Sequence, residues 1–423
     1  AYTILKDYEE AIHFYLKAIH IKPNFILAIF NLGNVRFSLR QFEDALNLYQ
    51  KVIGLDITHV DSYSNIGTCF KELGNSKEAL NFYNKALKLN PLHLNTLSNL
   101  GVLMIDKGNL EYAIYLLNKV VDIDSNNKIY LYNLANALKE NGEFSRSIKY
   151  LEKAVSLDPN FFKAHADLIH LKARLCIWYQ YPKDVEIASQ IGIKGDNPIV
   201  HLGMLAMHDN PGLDLLRSKR FYQNFFDFKK EVRKINRKKL IRLGYISANF
   251  FNHPVIQLLI RTLELHDLSK FELFFYSLDS TNSDIYTSRI KNIGAKFFPI
   301  DNLSNLEIIK LMRSHDLDLA IDLMGYTKGN NFSLFANRIA PIQISYLGFP
   351  GTTGSDCIDY IIADKFLIPK SHQKYYTEKV IYLPLSYQCN DDKLTRIKLS
   401  DTAFVEKKFH QKFVFTCFNS SYK

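Results

Sequence analysis

The sequence predicts two unlike halves: an α-helical superhelix built from repeats, then an α/β region with a parallel, doubly wound sheet. Two observations predict this. Small and large residues recur at a fixed 34-residue step up to about residue 161, and from Ile241 that period gives way to short β-branched and aromatic runs. Composition permits both halves, because 423 residues at 47% hydrophobic and 13% aromatic content can bury more than one core.

In the first half, Ala11, Ala45, Ala79 and Ala113 fall 34 residues apart, and Ser147 continues the series. Gly33, Gly67 and Gly101 do the same, followed by Ala135, and Leu32, Ile66, Leu100 and Leu134 precede them. Pro23, Pro91 and Pro159 mark repeat ends, with Ile57 and Ser125 in the intervening places. Small residues let two antiparallel helices cross closely, and Tyr49 and Tyr83 fill the gap beside them. The pattern resembles the tetratricopeptide repeat. Its phase gives four full repeats over about 26–161 after the tail of an earlier one, within a repeat region of 1–164. One helix pair cannot bury its apolar face alone, so stacking into a continuous superhelix is expected.

A second ladder runs through the same helices. Asn31, Asn65, Asn99 and Asn133 recur at the 34-residue step, in the first helix of each repeat, the helix that lines the concave surface. An amide row there can hydrogen-bond the backbone of an extended peptide whatever its side chains. The alternative is that these amides bond neighbouring helices within the stack.

After Pro159 the helical pattern continues without the 34-residue register. Residues 165–240 read as helices that dock the repeats onto the second half, and a basic stretch at 229–239 reads as a solvated helix face. Strand-like runs then appear at 241–247, 271–278, 295–300, 318–323, 342–347, 358–363, 379–383 and 413–418. Helical stretches at about 255–267, 283–293, 304–314 and 330–339 separate several of them. Strands alternating with helices predict a parallel, doubly wound sheet, whose ligands lie beyond the carboxyl ends of the strands.

Three strand-end loops could therefore carry chemistry. In Ser247-Ala-Asn-Phe-Phe-Asn-His-Pro254, Pro254 fits a first helical position, with His253 or Asn252 as its cap. Open N–H groups there suit an anion, and His253 could hydrogen-bond or exchange a proton with substrate; a purely capping His is the alternative. In Asp322-Leu-Met-Gly-Tyr-Thr-Lys-Gly329, Gly325 permits a tight turn, Tyr326 and Thr327 offer hydroxyls, and Asp322 could orient substrate or accept a proton. His315, Asp316 and Asp318 alternate with apolar residues as a strand start does, so they read as structure rather than metal ligands. The third loop, 340–354, carries Gly348, Gly351 and Gly354, where backbone could approach a ligand, and Thr352 and Thr353 as donors; a structural turn is the alternative. It matches neither a Walker A loop nor G-x-G-x-x-G.

The net charge of +10, from 53 Lys+Arg and 43 Asp+Glu, is spread along the chain and interleaved with acids. A nucleic-acid footprint needs a clustered patch, so no nucleic-acid partner is expected. No apolar run is long enough to span a membrane. Five widely spaced cysteines, with no C-x-x-C pair, point to a reduced, cytoplasmic setting. Ala1 falls in mid-pattern, so the expected N-terminus lies further upstream.

Taken in order, these segments resemble the O-GlcNAc transferase family, including bacterial and SPINDLY-type members. The matching pieces are the repeat array with its Asn ladder, Arg242-Leu-Gly-Tyr-Ile-Ser, Asn252-His-Pro, Gly325-Tyr-Thr-Lys-Gly, Ala340-Pro-Ile-Gln, Leu347-Gly-Phe-Pro-Gly-Thr, Asp359-Tyr-Ile-Ile-Ala-Asp364 and Phe418-Asn-Ser-Ser-Tyr-Lys423. The resemblance implies a GT-B glycosyltransferase, with two Rossmann-like lobes around a nucleotide sugar and inverting transfer to Ser or Thr of proteins. It implies UDP-GlcNAc as donor substrate, with GDP-fucose the rival, and no metal cofactor. By motif, His253 matches the active-site His, Leu347 and Gly348 lie against the donor sugar, and Lys423 contacts the donor diphosphate. Tyr326 and Thr327 would line the cleft, and the Asn ladder would hold the acceptor peptide.

The expected lobes are 241–412 for the first and 413–423 for only the opening strand of the second, whose remainder is missing from these residues. Ser420 stands where the family has a nucleotide-contacting Gln. These residues alone are therefore expected to bind donor weakly and turn over little. Sugar-nucleotide hydrolysis as fast as that of a complete homologue contradicts the expectation. A repeat scaffold that only holds peptides is the reading from a different class.

Overall fold

The computed structural model describes residues 7–195, 198–199, 202–226 and 239–393. Lys423, the run at 413–418 and nearly all of the basic stretch 229–239 lie outside the described residues. Contacts divide the chain into two compact units, 1–168 and 169–423.

The first unit is a superhelix of antiparallel helix pairs. First helices are Ile26–Ser38, Val60–Glu72, Leu94–Asp106 and Lys128–Glu140. Second helices are Tyr8–Ile21, Phe42–Leu55, Ser76–Leu89, Leu110–Ile123 and Phe144–Leu157. Each series keeps the 34-residue step, and so does the start of the next first helix, Phe162–Arg174. The register therefore extends one helix beyond Pro159, further than the residue pattern shows. It fails at the following helix, Tyr181–Gln190, which begins after a left-handed turn at Cys176 (φ 57°).

The small-residue ladder works as steric logic requires. A Cβ on Gly67 would lie 2.6 Å from the Tyr83 ring, one on Gly33 2.7 Å from Tyr49, and one on Gly101 2.7 Å from Leu117. Tyr49 and Tyr83 are fully buried, with hydroxyls bonded to Asn34 (2.7 Å) and Thr68 (3.2 Å), so they cannot swing aside cheaply. Between the helices of each pair the chain must turn left-handed. Gly74, Gly108 and Gly142 do this at φ 82°, 74° and 81°, while Arg40 occupies the same place at φ 59°.

The second unit carries a seven-stranded, all-parallel sheet. Its strands are β1 (Ile241–Ser247), β2 (Phe271–Ser277), β3 (Lys296–Pro299), β4 (Leu319–Asp322), β5 (Ile342–Ser345), β6 (Tyr360–Ala363) and β7 (Lys379–Tyr382). They lie in the order β3-β2-β1-β4-β5-β6-β7. Both faces are buried, which is why the strands read as continuous apolar runs. Leu243, Tyr245, Leu273 and Phe275 pack under helix Pro254–Glu264, while Ile246, Phe274, Tyr276 and Ala320 pack under helix Asn305–Ser314. The winding reverses between β1 and β4, and such a switch point opens a crevice at the carboxyl ends. The helix expected at 330–339 is a single turn, Ser333–Ala336.

Gly67→Val is expected to cost about 1–3 kcal/mol of stability by overpacking against Tyr83. The helical control Gly54→Ala, where an added methyl meets nothing within 4 Å, is expected to gain about 0.5 kcal/mol. Urea unfolding of both variants checks this, and equal effects contradict the packing.

Candidate functional site

The three candidate loops leave the carboxyl ends of β1, β4 and β5, the central strands of the sheet. β1 and β4 pair with Ile246 opposite Asp322, and β4 and β5 with Asp322 opposite Ser345, so all three loops begin at one level.

In the first loop His253 is the cap of helix Pro254–Glu264 (φ −137°, ψ 146°), and its Nδ1 accepts from the Val255 N–H at 3.3 Å. A neutral ring that accepts at Nδ1 carries its proton on Nε2, which makes His253 a hydrogen-bond donor rather than a base in this arrangement. The open helix start expected for an anion is largely closed. Pro254 has no N–H, Val255 donates to the His253 ring, and Gln257 donates to the His253 carbonyl at 2.9 Å. Asp284 holds the loop from outside by accepting from the Asn252 N–H.

In the second loop the Asp322 carboxylate is turned into the protein. Oδ1 accepts from Met324 N–H (2.8 Å) and Oδ2 from Gly325 N–H (3.0 Å), and only 2% of the residue is exposed. Burial raises its pKa to about 6 against the pull of those two bonds. Asp322 therefore shapes the turn. Tyr326 is also buried, donating to the Thr353 carbonyl (2.7 Å) amid Phe221, Phe332 and Phe349. Thr327 is half-buried and donates to the Met324 carbonyl at 2.8 Å.

The third loop spends its special residues on the protein itself. A Cβ on Gly348 would lie 1.9 Å from the Leu323 carbonyl oxygen, and one on Gly354 2.4 Å from the Lys219 nitrogen in helix Pro211–Phe225. Leu347, half-buried, is held left-handed at φ 68°. Thr352 and Thr353, candidates as ligand donors, are engaged elsewhere. The Thr352 hydroxyl donates to Glu378 Oε2 (2.7 Å), and the Thr353 N–H (2.7 Å) and hydroxyl donate to Oε1. Glu378, only 3% exposed, is the residue that sequence reasoning missed; between Thr377 and Lys379 it looks like an ordinary surface charge.

The loops are thus stitched together. Asn249 Nδ2 reaches the Met324 sulfur at 3.2 Å, Gly329 abuts Ala248, and Gly325 packs on Phe349. Beside them a cleft of about 390 Å³ opens at the ends of β2 and β3, lined by Phe250, Asp279, Asn282, Thr287 and Lys291 among others. A larger hollow of about 810 Å³ lies at the opposite edge, by the starts of β5, β6 and β7. His315 is occupied by the Tyr276 hydroxyl at Nδ1 (2.7 Å) and by ring contacts with Phe274 and Phe298.

In the first unit, Asn65 Nδ2 donates to Asn34 (3.1 Å), Asn99 to Thr68 (3.2 Å) and Asn133 to Ser98 (2.9 Å). Each bond joins consecutive first helices; helix Leu94–Asp106 also packs directly on Val60–Glu72 and on Lys128–Glu140, so the first helices form one layer. The ladder amides, Asn31 included, remain half-buried.

A sequence profile described as "Glycosyl transferase family 41" matches residues 202–418, half of the chain, and tetratricopeptide-repeat profiles match 1–25, 60–92 and 129–161. The chain belongs to glycosyl transferase family 41. The family match starts upstream of β1, in keeping with helix Pro211–Phe225 packing on Gly354 and donating from Tyr222 to Asp356 (2.8 Å). An Arabidopsis thaliana protein named probable UDP-N-acetylglucosamine–peptide N-acetylglucosaminyltransferase SEC is 36% identical over 194 residues, 44% of this chain and 19% of that protein. The Caenorhabditis elegans UDP-N-acetylglucosamine–peptide N-acetylglucosaminyltransferase is 32% identical over 169 residues, 40% of this chain and 15% of that protein. The chain thus aligns with less than a fifth of the length of these curated relatives. A mutant of the Thermobaculum terrenum O-GlcNAc transferase is similar at 24% identity and TM-score 0.45, over 78% of this chain and 58% of that one.

Because the folded state raises the Asp322 pKa to about 6, it holds that proton where the unfolded chain has lost it. Stability from this group therefore falls as pH rises from about 4 to about 6. Asp322→Asn is expected to remove that part of the pH dependence. Melting curves across the window check it, and parallel profiles for the two proteins contradict it.

Proposed function

We propose that this protein is a protein O-glycosyltransferase that uses UDP-GlcNAc without a metal and modifies Ser or Thr of segments held by its repeats. The observation that carries the reading is the stitched set of strand-end loops at the switch point of a family 41 sheet. In this reading the donor sugar lies against Leu347 and Gly348, and His253 donates a hydrogen bond from Nε2 to a substrate oxygen. Charge leaving with the nucleotide is stabilised by oriented donors and by Lys423, rather than by the largely closed helix start at Pro254. Asp322 and Tyr326 act through the loop and Glu378 holds it, so these three are positioning residues.

The names of both relatives, as N-acetylglucosaminyltransferases, support GlcNAc over fucose as the sugar. The Asn ladder supports peptide binding: Asn65, Asn99 and Asn133 each spend one N–H within the stack, which leaves the amide oxygen as an acceptor for a peptide N–H. The reading places the protein in the cytoplasm. Four described cysteines, Cys69, Cys176, Cys357 and Cys389, are unpaired, and no described helix is long and apolar enough to cross a membrane.

Ligand-observed NMR with the 423-residue chain tests donor choice even where binding is weak. Saturation transfer to UDP-GlcNAc, lost in Gly348→Val, is expected. Transfer to GDP-fucose instead moves the assignment to fucose, and transfer to neither contradicts a donor site here.

A further inference from the structure

The asparagine ladder has a fifth rung, and it is not an asparagine. The 34-residue step from Asn133 lands on Asp167, in the first helix that begins at Phe162. An acid in place of an amide removes both N–H donors. Asp167 is nearly fully buried, and its oxygens are taken: Oδ1 by Lys139 Nζ (2.7 Å) and Oδ2 by the Tyr132 hydroxyl (2.7 Å).

Lys163 lies one turn earlier on the same helix, at the i,i+4 spacing from which it would ordinarily pair with Asp167. With that carboxylate already engaged, Lys163 instead sits over the Tyr132 ring, its Nζ 5.0 Å from the centroid, and it makes no ion pair among the described residues. The side chain is accessible to solvent. Its pKa is nonetheless held below the ordinary lysine value, first by the surrounding walls, with repulsion from Lys139 and Lys71 working against attraction by Asp167 and Glu72. Lys139 is spent on Asp167 and Lys71 on Glu72, so Lys163 is the cation of this group that has no ion pair among the described residues. It rests instead on an aromatic face.

We propose that Lys163, seated on Tyr132 and backed by the Lys139–Asp167 pair, is a carboxylate-binding subsite at the end of the peptide groove. It selects segments that carry a Glu or Asp, or a free C-terminus, at that rung. The inference rests on the peptide-binding reading of the ladder and adds a preference to it. Rungs 31 to 133 read backbone and tolerate any side chain, whereas the rung at 167 reads charge. Partly screened ion pairs of this kind are worth roughly two- to fivefold in affinity.

The test is fluorescence polarisation with the full chain and labelled, C-terminally amidated Ser/Thr/Ala dodecapeptides. Each carries two Glu, or two Gln, in its first, middle or last third, and one neutral peptide keeps a free carboxylate. One Glu position, or the free carboxylate, is expected to bind roughly two- to fivefold tighter than its Gln or amidated match. Lys163→Gln should erase that difference without weakening the Gln peptides, and Lys163→Arg should keep it. Asn99→Ala should weaken Glu and Gln peptides alike. If Asn99→Ala weakens binding but Glu and Gln peptides bind equally, the subsite is overturned and the groove stands. If no peptide binds, or Asn99→Ala changes nothing, the groove reading falls and the subsite with it.

Discussion

The lobe in residues 169–423 depends on one close contact of backbone with backbone. The Leu323 carbonyl occupies the space that any side chain at position 348 would need, so the loops after β4 and β5 meet there with nothing between them. Around that contact the other ties accumulate. Asp322 gathers the N–H groups of Met324 and Gly325, the Met324 sulfur takes the Asn249 amide, and Phe349 fills the space above Gly325. Hydrogen bonds to a buried carboxylate are costly to break, because the charge cannot find water instead. The loops at the switch point are thus preorganised by groups that are not themselves available to a ligand.

That distinction explains what is legible in the sequence. The two halves, the 34-residue step and all seven described strands can be read directly, the repeats from their period and the strands from short β-branched and aromatic runs separated by helical stretches. The helix Phe162–Arg174 reads as off-register because Asp167 breaks the Asn ladder and Ile169 the Gly/Ala ladder while the backbone step persists. The three loops are also legible, because strand ends flanked by Gly and Pro mark them.

The roles inside the loops are less legible. Asp322, Tyr326, Thr352 and Thr353 have the chemistry of ligand-binding groups, and nothing in a linear sequence says that their partners lie inside. Thr352 and Thr353 are consumed by Glu378, some 25 residues later, and Gly354 by the backbone of a helix more than 130 residues earlier. Such partners emerge only when the sheet brings β7 and helix Pro211–Phe225 to the same loop. Of the groups singled out, His253, Leu347 and Thr327 stay partly exposed, and they carry the donor-site reading.

The repeat half follows the same economy. Tyr49, Asn34 and Asn65 form one polar joint between repeats, and Tyr83, Thr68 and Asn99 form the next. Where Leu117 replaces the tyrosine, Asn133 turns to Ser98 instead. Hydrogen–deuterium exchange of the chain with and without saturating UDP-GlcNAc tests the site most directly. Slowed exchange is expected in 248–253, 323–330 and 346–354 together, because the loops are tied to one another. Slowing confined to the opposite sheet edge, around 354–360 and 377–379 without 248–253 or 323–330, contradicts a donor site at the switch point.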